Sequence, residues 1–136
     1  MALELNGTTG VSLVQDGVVV AADLNSALSD TIGKVKAWVN FNGTGTVAIR
    51  ASYNVSTITD NGTGDYTVNF TTAMVDTNYS GVALPNDGTA GANIVVSCEN
   101  QSLTKSTSQY HVWTAYAGAS SKGLYDVNTV NVAIFR

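Results

Sequence analysis

Asp60 and Asp65 bracket the run "DNGTGD", two carboxylates around a glycine-rich loop. Such a run can hold a metal ion, cradle a phosphate or simply turn a corner between two strands. A calcium loop of the helix–loop–helix type reads D-x-[DN]-x-[DN]-G with a distant Glu. The intermediate acidic ligands and the Glu are both missing here. A phosphate loop needs a following Lys and a helix N-terminus, whereas Tyr66 opens the alternating run "YTVNF". The hairpin reading explains every residue, because Asn61-Gly62 and Gly64 supply positions with positive φ. A hairpin corner is therefore the expectation, with a weak calcium site at Asp60 and Asp65 as the alternative.

The remaining groups that could do chemistry are few. His111 is the only histidine. As the general base of a triad it would need a nucleophile, and no G-x-S-x-G elbow is present. Cys98 is the only cysteine, so it makes no intrachain disulfide and no zinc cluster. In "NIVVSCEN" it reads as a small buried hydrophobe. Glycan cleavage uses two carboxylates, but Glu4 and Glu99 are the only glutamates, and Asp16, Asp60, Asp65 and Asp87 sit in turn sequences. A turn Asp has a local purpose, since its side chain bonds the backbone two residues on. No catalytic residue, cofactor or metal is expected, and the chain does not read as an enzyme. N-x-S/T sequons occur at Asn6, Asn42, Asn54, Asn61, Asn69, Asn78 and Asn100. Several fall in predicted strands, and "MALELNGTTG" is not a secretory signal, so glycosylation is not expected.

Charge narrows the partners. The formal net charge is −4, and the only cations are Lys34, Lys36, Arg50, Lys105, Lys122 and Arg136. A nucleic-acid binder needs a basic stripe to neutralise phosphates, and an anionic membrane surface makes the same demand. Neither partner is expected. No segment is long and apolar enough to insert in a membrane. The expected setting is a cytosol, with release, if any, by lysis.

The elements that must position these groups are nearly all strands. Charged residues make up 12% and hydrophobic residues 44%, which excludes a disordered chain. The polar share is rich in Asn, Thr and Ser, which suits sheet surfaces and turns. A length of 136 residues fits one β-domain. Residues 1–33 read as an arm: two short strands in "GVSLVQDGVVVAA", then a small helix in "ADLNSALSDTI" with Leu24, Ala27 and Leu28 at helical spacing. A helix of about two turns needs a partner to be stable in water.

Residues 34–136 form the second unit. "KVKAWVNF" places Val35, Ala37, Val39 and Phe41 on one face, and "TVAIRASY" places Val47, Ile49, Ala51 and Tyr53 on one face. Tyr66, Val68, Phe70 and Met74 make the next inward row, and Ile94, Val96 and Cys98 fall in phase. "NYSGVAL", "SQYHVWTAYA" and "VNTVNVAIF" complete the set, with "GASSKGLYD" as an exposed loop. The fold class is all-β: an antiparallel β-sandwich of about seven strands behind a short N-terminal arm with a small helix. In this phasing Trp38, Trp113 and Phe135 face away from the core. Large exposed aromatics mark interfaces, so these three, with Leu24 and Leu28 of the arm, are the candidate oligomer interface of a homo-oligomer.

The stretch Ala37–Met74 resembles a module of bacteriophage tail-fibre proteins found in phages of aquatic bacteria. The likeness is carried by "WVNFNGTGT", "SYNVSTITDNGTGDYTVNF" and "TNYS". The end "NVAIFR" is similar to the closing strand of such modules, and "LNGTTGVSLVQDG" to connectors before fibre tips. The resemblance implies a virion protein assembled in the host cytoplasm, trimeric, whose β-rich head contacts a host surface. Residues 1–33 would anchor it to a tail adaptor or capsid protein. Tyr79, Tyr110, Tyr116 and Tyr125 would be candidate host contacts, since aromatic faces pack on the pyranose rings of surface glycans. A typical fibre carries a long attachment region and shaft, whereas this chain reaches the module at Ala37. That departure keeps a capsid decoration protein as the alternative, and a glycan depolymerase is a more distant one.

Overall fold

Alternating side chains and glycine-rich corners give nine strands in the computed structural model, which describes residues 34–87, 94–100, 103–117 and 122–136. They are β1 (Val35–Asn42), β2 (Ala48–Tyr53), β3 (Val55–Gly62), β4 (Asp65–Phe70), β5 (Ser80–Asn86), β6 (Ile94–Glu99), β7 (Gln109–Ala117), β8 (Lys122–Leu124) and β9 (Thr129–Phe135). No helix occurs among the described residues. The arm, with its predicted helix and Leu24 and Leu28, lies outside them.

The strands pair antiparallel in two sheets. Sheet A has the order β2-β1-β9-β5; sheet B has the order β3-β4-β7-β6, with β8 also paired to β7. Their inner faces share one core. Ala37, Val39 and Phe41 of β1 and Val130, Val132 and Ile134 of β9 meet Tyr66, Val68 and Phe70 of β4 and Tyr110 and Val112 of β7. Phe41 packs edge-on to Tyr66, with ring centroids 5.2 Å apart; such a pair adds about 0.5–1.5 kcal/mol to simple burial. The ends of this unit are neighbours, because Val35 pairs with Phe135 and the Arg136 amide reaches the Lys34 carbonyl.

The chain changes sheets between β2 and β3 through the single residue Asn54, which has φ 55°. Asn tolerates this left-handed conformation better than most residues. Its side-chain amide donates to the Lys36 and Thr72 carbonyls, and its side-chain oxygen accepts the Thr72 amide. The only proline, Pro85, lies in β5, an edge strand, where a missing N–H is tolerated.

Four sequence expectations are corrected. Nine strands lie among the described residues rather than about seven, because Val55–Gly62 forms β3 in full and Lys122–Leu124, expected within an exposed loop, adds to β7 as β8. Ala51 and Tyr53 are exposed rather than inward, because the β1–β2 register slips between Asn40 and Phe41 and leaves Arg50 as an extra residue. Such a bulge reverses the phase of everything beyond it. A second slip, between Val35 and Ala37, turns Val35 outward. Finally, β6 has the opposite phase: Val95 packs on the core, while Val96 and Cys98 are exposed. Both phases of "NIVVSC" carry apolar residues, so periodicity alone could not choose between them.

Candidate functional site

The "DNGTGD" corner is the turn between β3 and β4, with Gly62 opposite Asp65 and Thr63-Gly64 at the tip. Gly62 and Gly64 have φ of 129° and 64°, and Asn61 sits in a bulge. The two carboxylates take different roles. Asp60 accepts the amide of Gly62 two residues on. Asp65 lies on the outer face of sheet B, where both its oxygens accept from the Asn100 side-chain amide at 3.2 Å. Among the described residues, no group of three or more acidic, His or Cys side chains converges as metal ligands.

Asp65 begins a hydrogen-bonded chain across that face. The Asn61 amide donates to Asp65 (3.3 Å) and to the Thr67 hydroxyl oxygen (2.9 Å). Thr67 Oγ1 lies 2.9 Å from His111 Nδ1, and His111 Nε2 lies 3.0 Å from the Gln109 amide. One imidazole nitrogen can donate and the other accept, so the neutral ring satisfies both contacts. Burial lowers the His111 pKa, against a smaller opposing pull from Asp65 and Glu99. Both nitrogens of the ring are engaged, and Cys98 lies two strands from Asp65 on the far side of Trp113. This geometry ties His111 into the sheet, with the Thr67 hydroxyl and the Gln109 amide as its hydrogen-bond partners.

The outer face of sheet A is different. Tyr53, Trp38, Ala133 and Val82 stand opposite one another across β2, β1, β9 and β5, and form one continuous row. The next row is Ala51, Asn40, Asn131 and Leu84. Exposure is 41% at Trp38, 58% at Tyr53, 50% at Val82 and 70% at Leu84. Asn40 Nδ2 donates to Asn131 Oδ1 at 2.6 Å, and Asn131 Nδ2 to the Leu84 carbonyl at 3.4 Å. Part of these rows, Trp38, Asn40, Val82, Leu84, Asn131 and Ala133, lines a shallow groove of ≈ 260 Å³, and Tyr53 stands next to Trp38 outside that lining. Arg50 is not among the lining residues; its guanidinium donates to the Asn128 carbonyl and the Thr129 hydroxyl.

The residues singled out from sequence are distributed as follows. Trp38 and Phe135 are on the outward phase of sheet A, and Trp113 is on the outward phase of sheet B. The three therefore do not form one patch. Trp113 is half-buried, and its indole N–H has no hydrogen-bond partner among the described residues. Tyr79 and Tyr110 are only 2% exposed and belong to the core, so they offer no ring to a host surface. The Tyr79 hydroxyl donates to the Ser106 and Gln109 carbonyls. Tyr116 and Tyr125 are half-buried and pack edge-on at 5.7 Å.

Tyr53, Val82, Leu84 and the Asn40–Asn131 pair were not identified from sequence. The alternation of "YSGVALPN" carried a signal for Val82 and Leu84. Nothing in "TVAIRASY" announces the bulge that exposes Tyr53. Comparison of this chain with protein-family models, with curated proteins and with solved structures returned no match.

Proposed function

We propose that this chain is a non-enzymatic bacteriophage virion protein of the tail-fibre-tip type, which attaches the particle to its host. One observation carries the reading. The Ala37–Met74 stretch that resembles fibre modules spans four consecutive strands, β1–β4, and the sheet-changing corner at Asn54. The likeness thus falls on a continuous run of strands rather than on isolated turns. Residues 1–33 would join three copies and hold an adaptor, and the β-domain would meet the host. Three weak sites on one rigid assembly bind more tightly than one, through effective concentration.

Immunogold labelling of intact particles tests this directly. Label at the tail tip is expected. Label over the head overturns the fibre reading in favour of a capsid decoration protein. Sedimentation of the full chain tests the trimer, and a monomer overturns it.

A further inference from the structure

We propose that the outer face of sheet A is a binding platform for a neutral glycan, with Trp38 and Tyr53 as the aromatic bed and Asn40 and Asn131 as the polar guides. The proposal rests on the attachment reading and gives it a ligand class.

The chemistry of the face selects the ligand. The groove-lining residues carry no formal charge, and their polar side-chain groups are the two amides and the Trp38 indole N–H. An ion or a charged peptide would find no counter-charge among them. A pyranose ring has an apolar C–H face and a rim of hydroxyls. Half-exposed aromatic rings suit the first, and amides that both donate and accept suit the second. The Asn40–Asn131 bond fixes both side chains before a ligand arrives and leaves Asn40 Oδ1 available as an acceptor. Preorganisation of this kind reduces the entropy lost on binding.

Size argues against a second copy of the chain as the occupant. Four strands at about 4.8 Å spacing and two rows at about 7 Å make a field of roughly 200–300 Å². A stable protein interface needs about 800 Å² per partner. The groove, at ≈ 260 Å³, is also just below the range of pockets for drug-sized ligands, about 300–1,000 Å³. One or two sugar rings of a longer chain fit that footprint.

The full chain should be titrated with cellohexaose, maltohexaose, mannohexaose and chitohexaose, by calorimetry and tryptophan fluorescence, with hexagalacturonate as the acidic control. Saturable binding of at least one neutral hexasaccharide is expected, with none of the control. Trp38→Ala and Tyr53→Ala should each weaken binding at least tenfold, and Trp113→Phe should leave it unchanged. Leu84→Lys, at the most exposed position of the groove, should also abolish binding and guards against loss of fold in the Trp38 variant. The proposal is overturned if none of the four sugars binds, or if Tyr53→Ala and Leu84→Lys bind as the parent does. It is also overturned if these variants convert an oligomer to a monomer, since the face then belongs to a second copy. Tail label without sugar binding removes this proposal alone, and sugar binding with label over the head removes the attachment reading alone.

Discussion

The Tyr66 hydroxyl lies 3.0 Å from Asp126 Oδ1, and that same oxygen accepts the amide of Gly64 at 2.7 Å. The hydroxyl also reaches the Gly43 carbonyl at 2.7 Å. One carboxylate therefore joins the β3–β4 turn to the segment before β9, and one tyrosine joins both to the turn after β1. Tyr66→Phe keeps the buried ring and removes these bonds. A loss of about 1–2 kcal/mol is expected, read from the midpoint of urea unfolding at unchanged slope. An unchanged midpoint would show that the hydroxyl contributes nothing net.

Gly64 and Gly45 offer a matched pair of substitutions. Both have positive φ, 64° and 61°. A Cβ on Gly64 would lie 2.3 Å from the Thr114 carbonyl and 2.6 Å from the Tyr125 amide, whereas a Cβ on Gly45 would meet nothing within 4 Å. Gly45→Ala should cost only the left-handed penalty, about 1–2 kcal/mol. Gly64→Ala adds a backbone clash and should cost at least twice as much. Equal melting temperatures for the two variants would contradict the packing of the turn against β7.

Stability should fall in acid through His111. Its folded pKa is depressed by burial, so the unfolded chain binds its proton first as pH falls. The stabilisation is present above the usual histidine value of about 6.5 and is lost as pH drops through the folded value. Unfolding free energies measured from pH 8 to pH 5 should decline, and His111→Gln should flatten the decline. A variant with the parent's slope would assign the effect to other groups. At the alkaline end the sign reverses. Burial raises the Tyr110 pKa to about 12, so its contribution holds below about 10 and is lost as pH rises through the folded value.

Cys98 is exposed on the outer face of sheet B. A thiol reagent such as Ellman's should react with one equivalent per chain under native conditions, at a rate unchanged by urea below the unfolding transition. Reaction only on unfolding would place the thiol inside.

The sequence carried the all-β class and the inward rows Ala37-Val39-Phe41 and Tyr66-Val68-Phe70, because period-2 alternation in a half-buried sheet is a direct physical signature. It also carried the "DNGTGD" corner, where turn glycines are required by backbone geometry. The exposed face was only partly legible. Trp38 could be phased within its own strand, but its neighbours Tyr53 and Val82 come from β2 and β5, and no single strand encodes which others lie beside it. Arg50 hid Tyr53 further, since a one-residue bulge leaves no compositional trace. Tyr79 and Tyr110 failed as contact candidates for the opposite reason. Tyrosine serves core and surface alike, and only the close approach of Gly81 to the Tyr110 ring reveals which.

The pairing of Val35 with Phe135, closed by the Arg136–Lys34 bond, has a mechanical meaning. Tension applied between these two ends would part β1 from β9 one bond at a time, like a zipper, at low force. A load entering through Lys34 alone, with Arg136 left unloaded, would not open that zipper. A domain of this design resists pulling best when it hangs from one end.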